Sequence, residues 1–388
     1  MASIVIIGGG VIGSSIAYYL GRAGAARDTI VVEPDPTYEY AASPRAVGGV
    51  RRLFGIRENV EMSQYGLDVY TDFAKIVYGA TTTFDPAFRV QGYMFLVWGS
   101  AAVAALEADA QMQRGVGVPV EMLDRAALKA RYPSFSFESI DAGALSPGDG
   151  KIDPNAALMG FRRCAEAIGV TYLKDRVTGL DQAASRVSAV HLESGRKLQP
   201  DIVVNAANCW APEICAMVGM RVPIVPLRRQ TFFFHCSKSI EKIPTMRDIS
   251  GFSVRPEGDG YLTGVTQFEQ AGNFNWELEY GLFDELLWPR LAERSCAFET
   301  IKVKHGWVGH YDINQLDGNP IIGPWTGRLE NFFVVAGFSG HGLQHAPAVG
   351  RGMKELLIDG GYRTIDLSAF SYQRVVENTP LVDHGPTA

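Results

Sequence analysis

The stretch IIGGGVIGSS at positions 6–15 limits the possible folds more than any other part of the chain. Ser3 to Ile7 is a short apolar, β-branched run that reads as a buried parallel strand. Beyond the glycines, Ile12, Ile16 and Leu20 recur at helical spacing, and Gly21 and Gly24 punctuate the end. Thr29 to Val32 reads as a second buried strand closed by Glu33, which completes one βαβ unit. Gly8, Gly10 and Gly13 form G-x-G-x-x-G at its turn, with Glu33 20 residues past Gly13. This spacing allows a tight turn, close approach of main chain to a pyrophosphate at the helix N-terminus, and close helix–strand packing. Glu33 suits a ribose diol, and its charge repels a 2′-phosphate. The unit predicts a dinucleotide without choosing between NAD and FAD.

A second glycine cluster, VVAGFSGHGLQHAPAVGRG, occupies 334–352. It follows the apolar strand NFFVVAG and leads into a helix, PAVGRGMKELLI. Glycine beside a strand marks tight geometry or close approach to the main chain. We expect both clusters to touch one cofactor, although a purely structural turn at 337–342 also fits these residues.

Between the clusters the texture alternates. VQGYMFLVW (90–98) begins a second region, followed by a polar helical stretch near 101–131. A helix over 153–169 precedes strand-like segments that end in LQPDIVVNAAN. Another excursion starts at VPIVPLRRQTFFFH (222–235) and contains SVRPEGDGYLTG, whose EGDG predicts a hairpin turn. With no repeat, low-complexity tract or long linker, the domains are expected to interleave.

A chain of 388 residues with 47% hydrophobic composition can bury a sizeable core and is long for one domain. Its 42 acidic against 36 basic side chains give a net charge of -6 and no basic cluster that would track nucleic acid. Five cysteines without a CxxC pair argue against a disulfide framework and a zinc site, so no metal is expected. No apolar run approaches the roughly 20 residues of a membrane-spanning helix, and a strand beginning near residue 3 leaves no room for a presequence. We therefore expect a cytoplasmic protein.

Three segments favour flavin over nicotinamide: ASPRAVGGVRRLFG (42–55), NAANCWAPE (205–213) and GFSGHG (337–342). With the N-terminal fingerprint they resemble the D-amino-acid oxidase superfamily of FAD proteins, in its sarcosine oxidase, dimethylglycine dehydrogenase and glycine oxidase group. WPRLAERSCAFETIKVKHGWVGHYD and RTIDLSAF are most similar to the FAD-dependent oxidoreductase domain-containing branch. The likeness covers essentially the whole chain. It implies a Rossmann-type α/β FAD-binding domain (1–83, 146–219 and 319–388). This would be interleaved with an α+β substrate domain (84–145 and 220–318) on a mixed, largely antiparallel sheet.

The resemblance also implies where FAD is held. In the first unit these are Gly8, Gly10, Val11, Ile12, Gly13, Glu33 and Pro34, followed by Ser43, Ala46, Gly48 and Gly49. Val177, Ala206, Ala207 and Trp210 come from the middle of the chain, and Gly309, Gly337, Gly340, His341, Gly342, Leu343 and Gln344 from its last third. Gly309 stands where sarcosine oxidase tethers FAD through a cysteine, and 34–60 contains no histidine such as dimethylglycine dehydrogenase uses, so noncovalent FAD is expected.

The implied reaction is oxidation of a secondary or tertiary amine, an N-alkylated amino acid resembling sarcosine or dimethylglycine. Arg51 matches the arginine that clamps substrate carboxylate, a task suited to a planar bidentate donor. Tyr311 and Gln344 are expected to line the pocket. Gln344 replaces the second cation of sarcosine oxidase, and Tyr311 stands near the arginine position of D-amino-acid oxidases. Two roles fit His341, polarising flavin or supporting the turn. No lysine occurs between 255 and 270, where sarcosine oxidase keeps its oxygen-activating residue, so oxygen and an electron-transfer acceptor both stay open. A 2-hydroxy-acid dehydrogenase using His341 or His310 as base, and a flavin-retaining assembly protein without turnover, are the alternatives.

Overall fold

The computed structural model describes residues 3–78 and 85–382. Two sheets organise them. A six-stranded sheet runs in the order Ile321–Trp325, Leu329–Ala336, Ile202–Asn205, Ile4–Ile7, Thr29–Glu33 and Thr171–Lys174. All its pairings are parallel except the first, the hairpin between Ile321–Trp325 and Leu329–Ala336. The strand Ile4–Ile7 is wholly buried, as expected of a central parallel strand covered on both faces.

The helix Val11–Leu20 follows directly, and every one of its residues is buried. What covers it is the helix Gly342–Lys354, so the two glycine clusters meet as packed neighbours. Ser15 Oγ donates to the Ala346 carbonyl at 2.7 Å, and a Cβ at Gly350 would lie 2.2 Å from Ser15 Oγ. Only small residues allow that approach.

The second sheet has eight strands, ordered Ile301–Asn314, Ile224–Cys236, Gly260–Gly264, Ser253–Glu257, Thr245–Asp248, Tyr93–Val97, Ala142–Ser146 and Glu121–Asp124. Its pairings are antiparallel apart from Thr245–Asp248 against Tyr93–Val97. The 257–260 hairpin forms as expected, with Glu257 opposite Gly260. Phe232, Phe234, Phe283 and Phe298 fill the core on one face of this sheet.

One element departs from the sequence reading. The polar stretch near 101–131 is two helices, Ser100–Gly115 and Arg125–Arg131, separated by the strand Glu121–Asp124. Gly117, at φ 88°, breaks the first helix, and Asp124 caps the second by accepting from the Ala127 N–H at 2.8 Å. The helix expected at 153–169 spans Pro154–Ala167, with Asp153 as its N-cap. Among the described residues no helix is long and apolar enough to cross a membrane, and no cluster of side chains could hold a metal ion.

Candidate active site

The first glycine turn is shaped by contacts and by space. A Cβ at Gly13 would lie 1.9 Å from the Gly8 carbonyl oxygen, so the helix can seat this close to the strand only with glycine there. A Cβ at Gly10 would meet nothing within 4 Å. That open space fronts the first turn of Val11–Leu20, which has no acidic residue and no side-chain cap hydrogen bond. An uncapped helix N-terminus of this kind suits a pyrophosphate. Ser43 approaches from the side, its Oγ accepting from the Val11 N–H at 3.4 Å.

Glu33 is fixed by two main-chain donors, Gly9 N–H at 2.8 Å and Asp35 N–H at 2.9 Å. Burial raises its pKa, although these hydrogen bonds work to lower it. Its strand neighbour is Lys174, and Val177 lies three residues beyond, its side chain clustered with Val32 in the core. Ala206 and Ala207 continue the strand Ile202–Asn205 and abut Gly8, whose Cβ would stand 2.6 Å from the Ala206 carbonyl oxygen. Trp210 follows and stacks on Phe274 at 5.2 Å. Together the open turn, the uncapped helix and the held carboxylate fit an FAD or NAD adenosine diphosphate.

The second turn is clamped from the other sheet. Asp312 Oδ2 accepts from Gly337 N–H at 2.7 Å and Phe338 N–H at 3.1 Å, while Asn314 N–H donates to Ser339 Oγ at 3.1 Å. Burial pushes the Asp312 carboxyl up to about 6 against those backbone hydrogen bonds. Sequence reasoning assigned Asp312 no role, and its place directly after Tyr311 was the only signal. Gly340, at φ 90°, lies against the Tyr311 ring, where a Cβ would sit 2.5 Å from Cε2.

Arg51 is 5% exposed. Its guanidinium carbon lies 3.9 Å from the Phe54 ring centre and 5.0 Å from that of Phe95. One terminal nitrogen donates to the Leu53 carbonyl, and Nη2 lies 3.0 Å from His341 Nε2. Because guanidinium only donates, His341 accepts as a neutral ring with its proton on Nδ1. Gln344 is buried, and its Oε1 accepts from the Arg51 N–H at 2.9 Å. It therefore positions the segment that carries Arg51.

Tyr311 is half-buried, and the loss of solvent around it works to raise its phenol. The nearby guanidiniums of Arg229, Arg247 and Arg51 outweigh this and hold it below the usual tyrosine range. Arg229 and Arg247 were not anticipated, because only strand register shows that they share a face with Tyr311.

Gly309 lies across from Arg229, and its Cβ would stand 3.2 Å from Arg45 Cβ. The same helix segment, Ala42–Arg45, is tied to this strand by Arg45 Nη1 to the Val308 carbonyl at 2.7 Å and Trp307 Nε1 to the Arg45 carbonyl at 2.8 Å. His310 alternates to the opposite face, beneath Trp276 at 4.3 Å, and its Nε2 accepts from the Asn275 N–H at 3.2 Å.

Both deeply packed histidines favour the neutral form. Burial, then Arg228 and Arg45, bring His310 down to about 4; burial and Arg51 bring His345 down to about 3. A depressed folded pKa leaves the unfolded chain with more bound protons as pH falls below the ordinary histidine value of 6.5, so stability falls in that direction. Asp312, raised, acts the opposite way between about 6 and 3.8. The His345 contribution is isolated by comparison with His345→Gln. Between about pH 7 and pH 5 the thermal midpoint should fall ~3 °C further in the parent than in the variant. Equal falls would contradict a neutral buried His345.

The profile of the family described as FAD dependent oxidoreductase, abbreviated DAO, matches residues 3–356. The FAD-dependent oxidoreductase domain-containing protein 1 of Bos taurus is 33% identical, over 96% of this chain and 84% of its own. The mitochondrial dimethylglycine dehydrogenase of Homo sapiens is 26% identical over 92% of this chain and 43% of its own. In fold, the chain superposes on L-proline dehydrogenase from P. horikoshii with a TM-score of 0.86, covering 98% of this chain and 99% of that one at 24% identity.

Proposed function

The chain belongs to the FAD-dependent oxidoreductase (DAO) family, and from that premise we propose that it oxidises the C–N bond of a secondary or tertiary amine, an N-alkylated amino acid. FAD is its cofactor, held without a covalent bond in this reading, and supplies the acceptor for the hydride of a substrate C–H bond. The substrate nitrogen lone pair then forms an iminium ion, which water cleaves to an aldehyde and the shorter amine.

The observation that carries the reading is the placement of Arg51. It is a buried cation walled by Phe54 and Phe95, and it is hydrogen-bonded to His341 in the 337–342 turn. In that position it would take the substrate carboxylate and fix the reacting C–H bond. Gly10 and the helix after it would hold the pyrophosphate, and Glu33 the ribose. The helix Gly342–Lys354, with no side-chain cap and no acid in its first turn, would place positive dipole near the ring system. Tyr311 would close the opposite wall. A division into nucleotide-binding segments 1–83, 146–219 and 319–388 and substrate segments 84–145 and 220–318 accompanies this reading.

The hydroxy-acid alternative needs a free base. His341 Nε2 is occupied by Arg51, and His310 lies on the other face of its strand, so neither favours it. The test is anaerobic bleaching of the bound flavin by a panel of N-methyl amino acids, with aldehyde release measured afterwards. Bleaching by one of them with stoichiometric aldehyde is the expected result; a flavin that stays yellow with every amine defeats the proposal. Admitting air to the bleached protein then separates an oxidase from a dehydrogenase.

A further inference from the structure

One face of the eight-stranded sheet carries more positive charge than a single carboxylate requires. Arg229 shares its face with Phe233, four residues along, and Phe233 pairs with Leu262, which pairs with Arg255. Ser253, two residues before Arg255, pairs with Arg247, and Arg247 pairs with Phe95, against which Arg51 stacks. Four guanidinium-bearing residues thus gather at the face bearing Tyr311.

They are not equivalent. Arg255, whose Nε and Nη1 also lack a hydrogen-bond partner, is met at Nη2 by Glu257 at 2.5 Å, a carboxylate that also takes Lys151 at 2.6 Å. Among the described residues no carboxylate pairs with Arg229. Its Nε and Nη1 are sealed from solvent without a hydrogen-bond partner, while part of the rest of the residue remains accessible. Burial lowers its pKa, the Tyr311 phenol works to raise it, and the neighbouring Arg247 lowers it further. Unmet buried donors on a cation are costly, and native proteins seldom keep them without a ligand. The Arg229 guanidinium carbon is 5.3 Å from the Tyr311 ring centre, and its Nη2 is 3.9 Å from where a Gly264 Cβ would be. Arg247 Nη2 reaches the same place from the other side, donating at 3.0 Å to Thr266 Oγ1, two residues past Gly264.

We propose that the substrate carries a second acid group: it is an N-alkylated amino dicarboxylate whose first carboxylate faces Arg51 and whose second is received by Arg229 together with Arg247. This rests on the amine-oxidation reading for the N-alkyl part. A monocarboxylate would leave Arg229 without a carboxylate; a second carboxylate supplies acceptors for its Nε and Nη1 and offsets the repulsion from Arg247.

The test begins with equilibrium titration of the FAD-loaded protein with succinate and with butyrate, which differ by a carboxylate in place of a methyl group. Succinate should bind at least about tenfold more tightly. Arg229→Met should erase that preference while FAD content is retained. Should that variant fail to load FAD, Arg229→Lys, which keeps charge without the fork, should show a reduced preference. Equal binding of the two acids, or a preference untouched in the loaded variant, overturns the second-acid site. Anaerobic bleaching by N-methylaspartate against N-methylalanine completes the test, the diacid being expected to react more than tenfold faster at equal low concentration. Equal rates remove the second acid and leave amine oxidation standing. A succinate preference with no bleaching by any amine removes amine oxidation and leaves the diacid site standing.

Discussion

Replacing Arg51 by methionine is expected to lower amine turnover, read as kcat/KM for flavin reduction, about a thousandfold, or ~4 kcal/mol in transition-state binding. The size follows from burial. Arg51 is 5% exposed and lies between aromatic rings, where a charge-assisted pair with a carboxylate is screened little by water. Methionine has similar length and tolerates the Phe54 contact, so the fold should survive. The losses inside the protein include the donors to the Leu53 carbonyl and to His341 Nε2. Arg51→Lys retains the charge and should recover part of the activity, mostly as a lower KM than the methionine variant. FAD absorbance must be the same in all three proteins. A methionine variant with unchanged kcat/KM would move the carboxylate elsewhere on the arginine-bearing face.

Gly10→Val is expected to yield a folded protein that does not take up FAD. A Cβ at Gly10 meets nothing within 4 Å, so the unloaded chain gives up little packing energy, and the backbone there has φ −62°, ordinary for any residue. The side chain would instead occupy the space before the uncapped helix, where the pyrophosphate is proposed to lie. Far-ultraviolet circular dichroism should match the parent, with the flavin band absent and FAD affinity reduced by at least about a hundredfold. Gly13→Val is the contrast. Its Cβ would lie 1.9 Å from the Gly8 carbonyl, so the fold itself should suffer. Normal FAD content in Gly10→Val would place the dinucleotide away from this turn.

Local pattern carried much of the architecture. The βαβ unit, the strand before the second glycine cluster and the 257–260 hairpin are each written in a few neighbouring residues, because periodicity and turn chemistry act over short distances. The helical stretch near 101–131 was misjudged where Gly117 and the cap at Asp124 admit a strand between two helices. Polarity alone does not distinguish an exposed edge strand from a helix face.

For the site, local sequence sufficed to bring forward Gly8, Gly10, Gly13 and Glu33, since one turn and one strand end hold them all. The hydrogen bond of the Gln344 amide oxygen with the Arg51 N–H, a contact between residues 293 positions apart, was not legible in local sequence. Asp312 and Arg229 carry no motif at all. Their importance lies in which partner faces them across a ladder or a turn.

The sequence by itself determined the dinucleotide turn, the family and hence the cofactor, because these depend on residue type at short spacing. Only the tertiary structure decided that Arg51 meets His341 and that Arg229 and Arg247 lie near Tyr311. Burial and strand register are properties of the assembled chain, and these set both the strength of a charge and the direction it faces.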